Sequence, residues 1–360
     1  MLHRAVERIL LWRVHRHRPP LAQPVEPPAA IRSLIDALDP ERHRFDERAL
    51  HFGDRYRSGF WLIYLLSAVA VLFAVLPLAM GWDDSRHVLH PYLGVWALGE
   101  VLVISAVAAV YWIGHRRNWQ GEWLRARTTA ELIRYLPMLA PLVDFGSASD
   151  EADWYLRVFD PGQNLRGIRE VTTLCRQHEG SMSEQLALAW SDPRFIAAYA
   201  AWSASVLERQ EHYHRSVVVR QQALHHRIHS INIVLFGATG LGALTHLILH
   251  SLYLSIVTTF FPALGASLHG ALAQSEAYRL EVASDRLARE LKSAVAKIRA
   301  AAAGPEHAAR HLGASVVAFA HDPALAAELV RNAVRSALAL ILEEHQDWHM
   351  LVRPHRLPLG

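Results

Sequence analysis

INIVLFGATGLGALTHLILHSLYLSIVTTFFPALGASLHGAL, from Ile231 to Leu272, contains no Asp, Glu, Lys or Arg. At ~1.5 Å rise per helical residue it is about twice as long as a ~30 Å hydrocarbon core requires, so it reads as two spans. His250 and Ser251 are the only plausible place for a turn between them. The stretch is therefore a tight transmembrane hairpin, and the rest of the chain must be read beside a bilayer.

Working towards the N-terminus, FWLIYLLSAVAVLFAVLPLAM (Phe60 to Met80) and YLGVWALGEVLVISAVAAVYWIGH (Tyr92 to His115) make a second pair of spans, separated by GWDDSRHVLHP. Trp61, Trp82, Tyr92, Tyr111 and Trp112 fall near the ends of these segments, where amphipathic rings prefer to lie. The predicted fold is all-α: four transmembrane helices in two hairpins, flanked by charged cytoplasmic helices.

Basic residues in short flanks stay in the cytoplasm. Arg42, Arg44, Arg48, Arg55 and Arg57 precede the first span, whereas its outer loop holds only Arg86 beside Asp83 and Asp84. Arg116, Arg117, Arg125 and Arg127 follow the second span, Arg215, Arg220 and Arg227 precede the third, and Arg279, Arg286, Arg289 and Lys292 follow the fourth. Every flank agrees, which predicts a multi-pass membrane protein with four spans and both termini cytoplasmic.

The remaining segments divide the chain in order. Residues 1–29 hold a basic helix with Leu2, Val6, Ile9, Leu10 and Val14 at helical spacing, then a proline-rich linker. The helix either lies on an anionic membrane surface or frays before the linker. Residues 30–144 are the first hairpin with its flanking helices, 145–210 a cytoplasmic helical region, 211–303 the second hairpin with the helix after it, and 304–360 C-terminal cytoplasmic helices. The helix after the fourth span carries Ala277, Leu280, Ser284, Leu287, Leu291, Ala294 and Ile298 in alternating steps of three and four, the spacing of a coiled-coil seam. Leu280, Leu287, Leu291 and Ile298 make it the candidate oligomerisation helix. Its partner is either a helix of the same chain or the same helix in a neighbouring subunit.

Composition narrows the chemistry. A formal charge of +3 over 360 residues is small, and a single cysteine, Cys175, excludes an intrachain disulfide or a thiolate metal cluster. Lys292 and Lys297 are the only lysines, so nearly all the positive charge is arginine.

Glu122, Arg125, Arg127, Ala130, Glu131 and Arg134 form a Glu-x-x-Arg-x-Arg-x-x-Ala-Glu-x-x-Arg pattern directly after a two-span hairpin. Together with DWYLRVF (Asp153 to Phe159), FFPALGASLHGA (Phe260 to Ala271) and DWHMLV from Asp347, it resembles the SLATT group, two-span membrane proteins associated with bacterial nucleotide-signalling defence systems. Here two hairpins stand in tandem. The resemblance implies a membrane effector of a bacterial inner membrane, pore-forming or membrane-perturbing on oligomerisation and usually paired with a separate or fused nucleotide sensor. The longer relatives carry a sensor domain for which this chain has no recognisable counterpart. The alternative is a constitutive ion channel, small transporter or membrane scaffold.

Within the spans, Glu100 is the only ionisable acid, and a carboxylate there needs a partner or a proton. His246 in the third span falls at a similar depth, so a Glu100 to His246 contact is feasible; simple helix packing is the other reading. His246 and His250 share a face, but no matching ligand stands opposite, and solvated interfacial histidines are the default over a metal or haem site. Gly237, Ala238, Gly240, Gly242, Gly265, Ala266 and Gly270 suit close helix approach. There is no nucleophile elbow, Walker loop, His-Glu-x-x-His or Cys-x-x-Cys, and GATGLG lies inside a span rather than after a soluble strand. The expectation is a protein that is not an enzyme, needs no cofactor, and binds no nucleic acid, its arginines being already required by topology.

Overall fold

A computed structural model describes residues 2–11, 24–142, 189–275, 277–303 and 323–351. DWYLRVF, the Asp160-Pro161-Gly162 turn, Cys175, Asp322, Glu276 and much of the proline-rich linker lie outside them. The described helices are α1 (Leu2–Leu10), α2 (Ala29–Ala79), α3 (Leu93–Arg116), α4 (Trp119–Leu139), α5 (Pro193–Leu249), α6 (Leu254–Gln274), α7 (Ala277–Ala302) and α8 (Pro323–Leu351), with no strand among the described residues. Four helical stretches are long and apolar enough to cross a membrane: within α2, within α3 and the 3-10 turn before it, within α5, and within α6 and its continuation. The protein is an all-α integral membrane protein with its spans in two hairpins.

The chain divides into two compact units, and these do not follow the five consecutive pieces expected from the sequence. The first gathers Met1–Arg18, His51–Gly121 and Val219–Glu281, and so holds α1 and both hairpins. The second gathers Pro19–Leu50, Glu122–Val218 and Val282–Gly360. Non-adjacent segments group this way because α2 and α5 change character along their length, from amphipathic to uniformly apolar, and each contributes residues to both units.

In the first unit the hairpins pack through a small core of Phe60, Trp61, Leu224, Ile228, Ala271 and Leu272, joined by Leu11 and Ala277. Leu2, Val6 and Leu10 of α1 pack against it, so α1 is neither frayed nor merely laid on lipid. His3 Nδ1 lies 3.1 Å from Ser58 Oγ, and Arg4 pairs with Asp54 at 2.6 Å. The rest of the span surface is bare: Val95, Leu98, Val101 and Leu102 of α3 and Leu241, Leu247 and Ile248 of α5 are all exposed. Contiguous apolar surface on this scale suits hydrocarbon rather than water.

Each hairpin is closed by local chemistry. Pro77 lacks the N–H that would bond the carbonyl four residues earlier. That carbonyl, Phe73 O, accepts the indole N–H of Trp96 at 2.6 Å, while the Phe73 and Trp96 rings stack at 4.6 Å. A proline defect in one span thus becomes a polar tie to the next, satisfying a backbone group that lipid cannot. In the second hairpin His250 takes a left-handed conformation (φ 48°), and the chain reverses where the sequence indicates. Gly242 faces Val257, and Gly265 faces Asn232 and Phe236, at 3.1 to 3.4 Å from where a β-carbon would lie. Gly237 and Gly240 meet nothing within 4 Å, so only part of the small-residue set serves helix contact.

The second unit is a helical bundle around one core. Ile31, Leu34, Leu38 and Phe45 of α2 recur at helical spacing and meet Ile133 and Leu136 of α4, Tyr199 and Leu207 of α5, and Val330, Val334 and Leu338 of α8. Leu287, Leu291 and Ile298 of α7 belong to the same core, with Leu291 and Ile298 wholly buried; Leu280 is half-buried. Of the two partners that the seam allows, these contacts are with helices of the same chain. A seam of Leu, Ile and Ala must be buried, and here its own chain buries it.

Candidate functional site

Glu122, Arg125, Arg127, Glu131 and Arg134, the charged residues of the pattern after the first hairpin, form a charge network in the second unit. On α4, side chains three or four apart share a face. Glu122 therefore meets Arg125, Arg127 meets Glu131 at 2.5 Å, and Glu131 meets Arg134 at 2.8 Å. The α2 segment of the same unit extends the network: Arg48 reaches Glu122 at 2.6 Å, and Asp46 accepts from Arg134 at 3.4 Å and from Arg42 at 3.2 Å. Arg42 also pairs with Asp39.

Glu131 is the residue on which this arrangement turns. It is 3 % exposed and held by two guanidinium groups, so its charge is matched rather than stranded. At Arg127 burial works against the positive charge, but Glu131, then Tyr213 and Asp46, outweigh it and hold the guanidinium above its ordinary pKa. The Glu122 cluster is more exposed and correspondingly weaker. Asp46 and Arg48 carry no sequence signal, since they stand some seventy to ninety residues before their partners.

The end of α4 is finished by side chains from elsewhere in the same unit. The Tyr199 hydroxyl donates to Met138 O at 2.5 Å, Trp190 Nε1 to Pro141 O at 2.7 Å, and Arg335 to Leu142 O at 3.1 Å. These carbonyls have no partner within the helix, and the three donors satisfy them. Burial pushes the Tyr199 hydroxyl pKa far up, so it remains a donor at any physiological pH. The network and the capped end fix α4 in place.

In the spans the structure separates the two polar candidates. His246 Nδ1 lies 2.9 Å from Ser251 O, so the imidazole closes the turn of its own hairpin. Glu100 is half-buried on α3 and has no hydrogen bond or ion pair among the described residues. No contact between Glu100 and His246 is formed among the described residues, and the turn carbonyl engages one of the two ring nitrogens of His246. Thr239, Thr245 and Thr258 each bond a carbonyl of their own helix, at 2.8, 2.8 and 3.2 Å. Hydroxyls bound this way spend their proton on their own helix. Among the described residues no three His, Cys, Asp or Glu side chains converge as a metal site.

Compared with known proteins, the chain matches no family model, no curated protein and no solved structure.

Proposed function

We propose that this protein is a non-enzymatic membrane effector of the SLATT type, whose copies assemble through their spans to perturb or permeabilise a bacterial inner membrane. Glu100 carries the reading. A carboxylate inside a span with no partner among the described residues is costly in lipid unless it is protonated, and a second copy or water in an assembled pore supplies the polar environment it needs. None of the apolar window of α3, the helix that bears it, is buried, which leaves that surface open to another subunit. With α7 taken up by the core of its own unit, assembly in this reading runs through the spans.

The second unit, held by the Glu131 network, is the part on which a separate nucleotide-sensing protein would act. In this reading both termini are cytoplasmic. Reporters fused after residues 40, 130, 210 and 300 then report cytoplasm, and those at Asp84 and His250 report periplasm; one reversed half overturns the topology.

The direct test is solute release from liposomes carrying the purified protein, at increasing protein density. Release rising more steeply than linearly with density, and reduced at least tenfold by Glu100→Gln at equal insertion, supports assembly. Release proportional to density and indifferent to Glu100→Gln points instead to a constitutive channel or transporter, and no release at any density to a scaffold.

A further inference from the structure

A cavity of about 440 Å³ opens at the base of the first hairpin, within the first unit. Its polar wall is His51, Asp54, Arg55 and Ser58, and its apolar wall includes Leu62 and Val110, with Trp119 between. Phe60 opens the apolar run of α2 and Arg116 ends α3, so antiparallel pairing sets Arg55 and Trp119 at one membrane interface with Leu62 and Val110 inside the hydrocarbon. The lining changes from charged to apolar along the membrane normal. A soluble ligand pocket has no reason to be built that way.

The charges of this wall are unevenly used. Asp54 is occupied by Arg4 at 2.6 Å, with His3 at 3.5 Å. Arg55 is exposed and has no hydrogen bond or ion pair among the described residues. The indole N–H of Trp119 is buried without an acceptor among the described residues, although its ring is firmly seated between Gly59 and Gly114, 3.2 Å from where a β-carbon on either would lie. The cavity therefore offers one unspent cation and one unmet donor beside an apolar slot.

We infer that this cavity binds the headgroup of an anionic phospholipid, with its phosphate against Arg55 and its first acyl methylenes along Leu62 and Val110. A free inorganic phosphate satisfies Arg55 but leaves the slot bare. A choline headgroup brings a second cation towards a wall already carrying Arg55. Juxtamembrane arginine attracts anionic lipid in general; the cavity makes the contact stoichiometric.

The test is native mass spectrometry of the full-length protein in detergent, titrated with phosphatidylglycerol, phosphatidylcholine or inorganic phosphate. One phosphatidylglycerol should be retained about tenfold more tightly than phosphatidylcholine. Arg55→Gln and Arg55→Glu should abolish that preference and Arg55→Lys should keep part of it. Because Arg55 is exposed and makes no bond among the described residues, these variants should melt with the parent protein. Val110→Trp, which fills the apolar slot without touching charge, should also displace the lipid. Retention unchanged in both Arg55→Glu and Val110→Trp overturns the proposal, as does displacement of phosphatidylglycerol by inorganic phosphate.

Discussion

Gly270 of α6 lies so close to the ring of Tyr64 in α2 that a β-carbon at 270 would overlap the ring edge. This is where the second hairpin closes on the first, and small residues permit such approach in lipid. Gly270→Ala asks only that the Tyr64 ring swing aside, whereas Gly270→Leu must push the helices apart. The expected loss for Gly270→Leu is roughly 1–3 kcal/mol. A melt of the purified protein in detergent checks it, and Tyr64→Ala should restore most of the lost stability. Losses that simply add in the double variant would show that the two residues do not meet.

Glu131 and Glu122 provide a matched pair of tests. Replacing Glu131 by Gln leaves Arg127 and Arg134 without their buried counter-charge, an expected loss of about 3–5 kcal/mol. Replacing Glu122 by Gln removes a more exposed partner of Arg48 and Arg125, an expected loss of about 1 kcal/mol or less. High salt should narrow the effect of Glu122→Gln and leave that of Glu131→Gln almost unchanged. Equal losses from the two variants would mean the network is a surface feature.

What the sequence discloses, and what it conceals, follows from how far apart the partners lie. The spans are legible because a run such as Ile231 to Leu272 declares its solvent locally. His250 at the turn is legible for the same reason. The Glu122 to Arg134 pattern is visible as i,i+3 and i,i+4 pairs on one helix, but Asp46 and Arg48 are found only once the chain has folded back. The α7 seam shows that something must cover it and is silent on what, because the spacing of Leu287 and Leu291 is the same for an internal core and a subunit interface. Pro77 and Trp96 form a tie that no local pattern marks.

His3 supplies a pH dependence. Its imidazole is held down to about 4 from 6.5, first by burial and next by Arg57, with Asp54 pulling the other way and Arg4 adding to the depression. Undocked α1 takes up the proton near 6.5 and docked α1 only near 4. Docking is therefore at full strength above pH 6.5 and weakens as the pH falls towards 4, by an amount on the order of a few kcal/mol. Hydrogen-exchange protection factors across Leu2–Leu10, which divide out the intrinsic chemistry, should drop between pH 7 and pH 5. His3→Gln should remove that drop. If the variant keeps the same pH dependence, another group controls docking.

The α7 core gives the prediction that separates an internal seam from an assembly surface. Leu287 and Leu291 are 3 % and 0 % exposed, in contact with a core that includes residues of α2, α4, α5 and α8. An aspartate at either position places an unpaired carboxylate in apolar surroundings, and removes a leucine whose loss alone is worth about 2–5 kcal/mol. Leu287→Asp and Leu291→Asp should therefore unfold the second unit, seen as lost helicity and rapid proteolysis of segments 24–50, 122–142 and 189–218, while the hairpins remain inserted. Leu291→Ala, which creates a cavity without a charge, should lower the melting temperature and leave the oligomers trapped by crosslinking as they were. A lipid-exposed control such as Leu247→Ala should not change the melt. Oligomers that vanish in Leu291→Ala while its melting temperature holds would return the seam to the surface and make α7 the contact between copies after all.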